Sequence, residues 1–229
     1  MSEIKTRKRK RGEQGEDLVS LTLSSLPIHS QIINNFCYIN PKSEMTHQLD
    51  HIFICSYGIF VIETKSFYGE VSLDKFGNFI RSDKKSSNRV GNPIQQNRSH
   101  TLLVNKLLGK KYDVTSLIVF VKNNAPKVEG ENVINLNDLE SFVLKHKVTS
   151  KLSDVTVDNI YLKLLSFMSE VDESEHVTNI GFLKQVRKEE KKEKIFAIET
   201  RTCPRCGAKM IEKSISELRC SKCDFKVRL

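Results

Sequence analysis

"HQLDHIFICSYGIFVIETK", His47 to Lys65, is two apolar runs flanking a Ser-Tyr-Gly break. Asp50 lies near the start of the first run, and Glu63 and Lys65 close the second. The pattern predicts a β-hairpin. Side chains alternate along a strand, so Glu63 and Lys65 share one face. A turn at Tyr57-Gly58 sets Asp50 opposite Lys65, whereas a turn at Ser56-Tyr57 sets it opposite Glu63. Either register gathers all three residues on one face, and a one-residue slip would send Asp50 to the other. The gathered register is the expected one.

Two carboxylates and an ammonium would then border an apolar sheet. A single ion pair is the plainer reading, but it leaves the second carboxylate without a role. Paired hard oxygen ligands suit Mg²⁺ or Mn²⁺, whose remaining positions go to water and substrate phosphate. A neighbouring lysine can orient or deprotonate a water and stabilise negative charge developing at phosphorus.

The 229 residues allow one sizeable core and a small accessory module. No apolar run approaches bilayer length, and the basic N-terminus is followed by no apolar stretch of the secretory type. A reducing compartment is expected, namely the cytoplasm, with nucleoid association if the source is bacterial. The net charge of +9 is unevenly spread. Residues 1–11 carry six basic residues against one acid, and residues 201–229 carry eight against three. The stretch between them is nearly neutral. Cationic ends suit a polyanionic partner, although solubilising tails would look the same.

Residues 1–11 contain the run "KTRKRKRG" and are expected to form a basic disordered tail. A helix is expected from Glu13 to Leu26, with Val19, Leu23 and Leu26 on one stripe. A strand is expected over 31–39, and a second hairpin over Gly69–Ser82 turning at Phe76-Gly77-Asn78. "NPIQQNRSHTLLVNKLLG" predicts a helix with Asn92 as N-cap, Pro93 in its first position and Gly109 past its end. "SLIVFVK", Ser116 to Lys122, predicts a strand covered on both faces. Helical stretches near 137–147 and 154–169 follow, and 171–200 reads as a charged linker.

Four of the six cysteines cluster as "CPRCG" and "CSKC", giving Cys203, Cys206, Cys220 and Cys223. Two C-x2-C knuckles complete a tetrahedral four-thiolate Zn²⁺ site with no position left for water, so the metal is structural. The segment 201–229 is too small to fold without such a staple. A redox pair is the alternative that two matched knuckles disfavour. The segment resembles the zinc ribbons at the C-terminus of type IA topoisomerases, which implies nucleic-acid binding. Cys37 and Cys55 lie in apolar runs and read as packing residues.

Gln48 to Val71, "QLDHIFICSYGIFVIETKSFYGEV", resembles the core of the NERD (nuclease-related domain) family, whose pattern is close to Q-[IL]-D-H…G-[IL]-[FY]-V-[IL]-E-x-K-x-x-x-G. Upstream, Gly12, Gly15 and Glu16 match its G-x-x-G-E opening. Downstream, Asn92, Pro93 and Gln96 match its N-P-x-x-Q. The family is assigned to the PD-(D/E)xK nuclease-like superfamily. The resemblance therefore implies an α/β restriction-endonuclease-like core (α-β-β-β-α-β, a mixed sheet flanked by helices) and metal-dependent phosphodiester cleavage.

On these positions Asp50 and Glu63 are the implied metal ligands, and Lys65 the water-activating or charge-stabilising residue. Glu16 would supply a further carboxylate directly or through a water, and Gln96 would help hold the water or a phosphate. His51 is a candidate phosphate contact, although a packed, hydrogen-bonded strand histidine is its plainer reading, and His47 has no assigned role.

The expected organisation is a tail at 1–11, a nuclease-like domain at 12–170, a linker at 171–200 and a zinc ribbon at 201–229. The leading functional expectation is a Mg²⁺- or Mn²⁺-dependent nuclease, with DNA favoured over RNA. The alternatives are a non-catalytic nucleic-acid-binding or regulatory module on the same scaffold, or a protein whose ribbon binds another protein. No Walker-type loop is present, so no ATP-driven motor is expected in this chain.

Overall fold

The computed structural model describes residues 2–41, 43, 45–84, 86–146, 152–169, 189, 191–214 and 216–228. The chain divides into two compact units, 1–170 and 171–229.

The first unit is built on a five-stranded mixed sheet in the order β1-β2-β3-β7-β8. Strands β1 (Ser30–Ile39), β2 (Thr46–Cys55) and β3 (Gly58–Lys65) form an antiparallel meander. Strands β7 (Val114–Phe120) and β8 (Val133–Asn135) then continue the sheet in parallel with β3. Helices α1 (Ser2–Ser24) and α3 (Leu139–Lys145) cover one face, where Val19, Leu23 and Leu139 pack with Phe53, Phe60 and Val119. Helices α2 (Pro93–Leu107) and α4 (Asp154–Leu165) cover the other, where Val104, Leu108 and Ile160 pack with Ile52, Ile54 and Val61. The apolar runs of β2, β3 and β7 follow from this double cover, because both faces of each strand lie inside. The order α1-β1-β2-β3-α2-β7 is the α-β-β-β-α-β core expected from the sequence, with a mixed sheet between helices.

Cys55 pairs with Gly58, leaving Ser56 and Tyr57 as the turn. Of the two registers that gather the site, this is the one that directs Asp50 toward Glu63. Between β3 and α2 the chain inserts a small antiparallel sheet, β4 (Glu70–Leu73), β5 (Phe79–Ser82) and β6 (Ser87–Arg89). The β4–β5 pair is the second hairpin expected from the sequence, and Asp74 accepts from the Phe76 and Asn78 backbone N–H groups to shape its turn. Gly69 enters this sheet at φ +86°, and a Cβ there would lie 2.1 Å from the Ser82 carbonyl oxygen. Only glycine fits that crossing.

Helix α1 begins at Ser2 and runs through the residues expected to form a basic tail. Lys, Arg and Glu are good helix formers, and a helix already nucleated over the apolar stripe extends at little cost into the charged run. The helices expected near 137–147 and 154–169 are α3 and α4, and α3 is preceded by a 3₁₀ turn at Leu136–Asp138. Residues 171–188, within the expected linker, lie outside the described residues. Among the described residues no helix is long and apolar enough to cross a membrane.

In the second unit, residues 191–200 form helix α5. Strands β9 (Met210–Ser214), β10 (Glu217–Cys220) and β11 (Lys226–Arg228) form an antiparallel sheet. Among the described residues the core is Ala197, Cys203, Met210, Leu218, Phe225 and Val227. Ala197 belongs to α5, so the second half of the expected linker is part of this unit. An apolar core of that size does not hold a fold by itself.

Candidate active site

The hairpin register carries Asp50, Glu63 and Lys65 to one face of the sheet, on the α2 side. Three features hold them there. The Thr64 backbone N–H donates to Asp50 Oδ2 at 2.7 Å, tying the first carboxylate to the strand bearing the second. Lys65 Nζ donates to Glu63 Oε1 at 2.5 Å. Helix α2 lies over the pair, capped by Asn92, whose Oδ1 accepts from the Ile94 and Gln95 N–H groups at 3.0 and 3.2 Å. Such a cap contributes about 1 kcal/mol to the helix. Buried Asn97 then anchors α2 to the sheet, with its Nδ2 2.8 Å from the Val61 carbonyl, 2.9 Å from Ser116 Oγ and 3.2 Å from the Leu117 carbonyl. This places Gln96 and His100 beside Glu63.

Glu63 is 2% exposed. Burial pushes its carboxyl pKa up, against the Lys65 ammonium that lowers it, and the charge of Glu16 raises it further. Burial, then repulsion from Glu63, raises Asp50 to about 7, against the lowering effects of the Thr64 N–H and Lys65. A buried and a half-buried carboxylate resisting ionisation together are the arrangement a cation relieves. Glu63 Oε2 is buried and makes no hydrogen bond among the described residues. His100 Nδ1 stands 3.7 Å from it, and the Gln96 amide comes close enough to lower the Glu63 pKa without a well-aligned bond to that oxygen. An orphaned carboxylate oxygen beside a second carboxylate fits the donor set of a Mg²⁺ or Mn²⁺ site.

Gly15 explains how Glu16 reaches the neighbourhood. A Cβ at Gly15 would lie 3.3 Å from Ser66 Cβ and 3.3 Å from Val121 Cγ2, so α1 approaches the ends of β3 and β7 as closely as glycine permits. Glu16 acts on Glu63 through its charge. Among the described residues it does not join Asp50 and Glu63 as a three-ligand cluster, the four cysteines being the group that meets that geometry.

His51 points to the opposite face. It is 1% exposed, with Nδ1 2.8 Å from Asn34 Oδ1 and Nε2 3.2 Å from Thr64 Oγ1. Burial lowers its pKa to about 4. It is therefore a neutral packed histidine, the plainer of the two readings made from the sequence. His100 went unassigned in the sequence, as did Asn97. Both lie on the buried stripe of α2 with Pro93 and Val104. Polar residues at such positions were the available signal. The His47 ring meets that of His100 edge-on, with centroids 6.4 Å apart.

The first unit now has the sheet order, register and polar cluster that the sequence motifs implied. The nuclease-related domain family matches this chain over residues 11–121. Residues 11–121 form a nuclease-related domain. The matched stretch runs from the last basic residue of α1 to just past the end of β7, so it holds every element that shapes the cluster. An uncharacterized protein of Bacillus anthracis is 26% identical over 175 residues, covering 73% of this chain and 82% of that protein. No solved structure matches the chain.

Beyond the nuclease-related domain, the Sγ atoms of Cys203, Cys206, Cys220 and Cys223 lie within 4.8 Å of one another. Cys203–Cys223 is 3.6 Å, Cys206–Cys220 3.4 Å and Cys206–Cys223 3.7 Å. A disulfide would need about 2.05 Å. The edge of a tetrahedron with Zn–S bonds of about 2.3 Å is about 3.8 Å. The cluster fits Zn²⁺. The Lys222 N–H, outweighing desolvation and joined by that of Cys223, draws Cys220 down to about 6, whereas Cys223, despite the Phe225 N–H, is pushed up to about 12 by desolvation and the neighbouring thiols. Cys37 and Cys55 are buried in the first unit's strands, as the packing reading had it.

Proposed function

We propose that this chain hydrolyses phosphodiester bonds of nucleic acid, DNA in the first instance, with Mg²⁺ or Mn²⁺ held by Asp50 and Glu63. The observation that carries the proposal is the shared face of Asp50, Glu63 and Lys65, with Glu63 Oε2 buried and unbonded. A divalent cation there supplies Lewis acidity toward a phosphate oxygen and lowers the pKa of a bound water.

The protein's own residues do the rest. The Thr64 N–H fixes the Asp50 carboxylate, so its second oxygen is free to turn toward the site. Lys65 spends one of its three N–H donors on Glu63 and keeps two for an attacking water and a phosphate oxygen. Its charge opposes the build-up of negative charge as the water oxygen bonds to phosphorus and the P–O bond to the leaving group breaks. Gln96, exposed at the start of α2, orients the water or a phosphate oxygen, and Glu16 acts at longer range or through a water. The four-cysteine unit binds Zn²⁺ as a structural ion. With the basic run of α1, it adds phosphate contacts independent of sequence.

The test is incubation of the purified full chain with DNA and RNA in Mn²⁺, Mg²⁺ or EDTA. Metal-dependent cleavage that disappears in Asp50→Asn supports the proposal. Salt-sensitive binding without cleavage in any metal would instead favour the non-catalytic module.

A further inference from the structure

A cavity of about 450 Å³ opens directly beside Lys65. Its walls include Gly12 of α1, Phe67 and Tyr68 of the loop after β3, Arg81 of β5, and Val90. The loop is held firmly. Asn124 Nδ2 lies 2.9 Å from the Phe67 carbonyl and 2.7 Å from that of Gly69, and Gly69 crosses against the Ser82 carbonyl. Phe67 and Val90 continue into the apolar cluster of Val71, Phe79 and Phe120 below. The cavity therefore has an apolar floor and an aromatic wall, with Lys65 and Arg81 among its lining residues.

Two wall residues carry groups that a ligand can use. Tyr68 is 50% exposed. It also lines a neighbouring cavity of about 320 Å³, and Lys122 Nζ sits 4.8 Å from its ring centroid. Arg81 Nε is buried and has no hydrogen bond among the described residues, and the guanidinium's ion pair with Asp83 is long at 3.8 Å. Among the described residues no acidic side chain lines the larger cavity, whereas Asp17 lines the smaller one. The basic run Lys5–Arg11 immediately precedes Gly12 in the same helix.

We propose that this cavity binds one unstacked nucleotide of a single-stranded nucleic acid, with the base against Tyr68 and a phosphate toward Arg81, next to the bond cleaved near Lys65. The choice of a nucleotide as ligand rests on the phosphodiesterase reading above. The volume falls in the range of sites for single small molecules and excludes a duplex. Aromatic walls bind bases through stacking, which tolerates any base and requires the base to leave its own stack. Arginine offers the paired donors that phosphate oxygens accept. Lys65 then faces the adjacent phosphate, so the cavity would set which bond enters the site.

The test measures binding of a fluorescein-labelled single-stranded oligodeoxynucleotide to the full chain by fluorescence anisotropy. Asp50→Asn is the background, which removes cleavage, and salt above physiological levels suppresses nonspecific attraction. Tyr68→Ala and Arg81→Gln are each expected to weaken binding about tenfold. Tyr68→Phe is expected to bind as the parent does, because the ring is retained. An oligonucleotide of the same length made only of abasic sugar-phosphate should lose the effect of Tyr68→Ala and keep that of Arg81→Gln. Thermal melts check that each variant is folded. If Tyr68→Ala is not, Arg81→Gln and the abasic comparison decide.

Binding unchanged in Tyr68→Ala and Arg81→Gln overturns the proposal, as does a loss in Tyr68→Phe equal to that in Tyr68→Ala. If the wild-type chain cuts no nucleic acid but these differences hold, the activity reading fails and the nucleotide site stands. If it cuts and both variants bind normally, the activity stands and the site falls.

Discussion

Lys65 and Glu63, two residues apart on β3, join side chain to side chain at 2.5 Å while Asp50 is held by the intervening Thr64 N–H. The ammonium thus opposes the effect of burial on Glu63 directly, while Asp50 meets burial and the charge of Glu63 with a backbone N–H as its bonded partner. This division shapes what each substitution should do.

Asp50→Asn, Glu63→Gln and Lys65→Ala should each lower metal-dependent cleavage by about 10²–10⁴-fold, the usual range for losing a positioned acid-base or charge-stabilising group. Asp50→Asn should melt no lower than wild type in EDTA at pH 7.5, because it removes a repulsion. Glu63→Gln should leave Lys65 without its counter-charge and melt lower. A nuclease assay paired with differential scanning fluorimetry reads both outcomes.

Stability should vary with pH in a direction Asp50 sets. Its carboxyl has a pKa of about 7 in the fold, against about 3.9 when unfolded. Between those values the folded state holds more protons, so this contribution is complete below about pH 4 and lost as pH rises through 7. His51 runs the other way. It has a pKa of about 4 when buried and about 6.5 unfolded, and its contribution is present above pH 6.5 and lost as pH falls toward 4. Comparison with Asp50→Asn isolates the first effect. In EDTA, the variant should gain on wild type by up to about 4 kcal/mol from pH 4 to 8, and Mn²⁺ should reduce the gap. Urea denaturation across that range provides the check.

Gly15→Leu should destabilise the first unit by about 1–3 kcal/mol, because a side chain there meets Ser66 Cβ and Val121 Cγ2 at contact distance. The displaced helix would also move Glu16 from Glu63. Urea midpoints measure the first effect, and Mn²⁺ affinity by calorimetry the second.

The purified chain should carry one Zn²⁺ by elemental analysis. Cys206→Ser or strong chelation should unfold the second unit, whose buried core among the described residues is small, and expose 191–214 to protease. The first unit, with cores on both faces of its own sheet, should keep its melting transition.

Much of this molecule was legible in one dimension. The hairpin, the capped α2, the buried β7 and the paired cysteine knuckles are written in local periodicity, turn residues and ligand spacing, because each depends on residues close in sequence. The alternation around Ser56-Tyr57 limited Asp50 to two partners. Tertiary structure decided which partner it was, through the backbone pairing of Cys55 with Gly58.

The short strands β6 and β8 were not legible, since three residues carry no period and pairing alone defines them. Nor was the helical start at Ser2, where a like-charge run reads as tail until it is joined to an anchored helix. His100 and Asn97 looked like ordinary members of a helix. Only the packing of α2 across β3 and β7 showed that one faces Glu63 and the other bonds both strands.

The sequence by itself determined the chemistry available here: two carboxylates and a lysine on one face of a hairpin, and four thiolates at zinc spacing. The tertiary structure decided how that chemistry is tuned, by burying Glu63, bonding Asp50 to the neighbouring strand and opening a cavity beside Lys65. Burial and through-space charge depend on elements distant in sequence, and no local pattern encodes them.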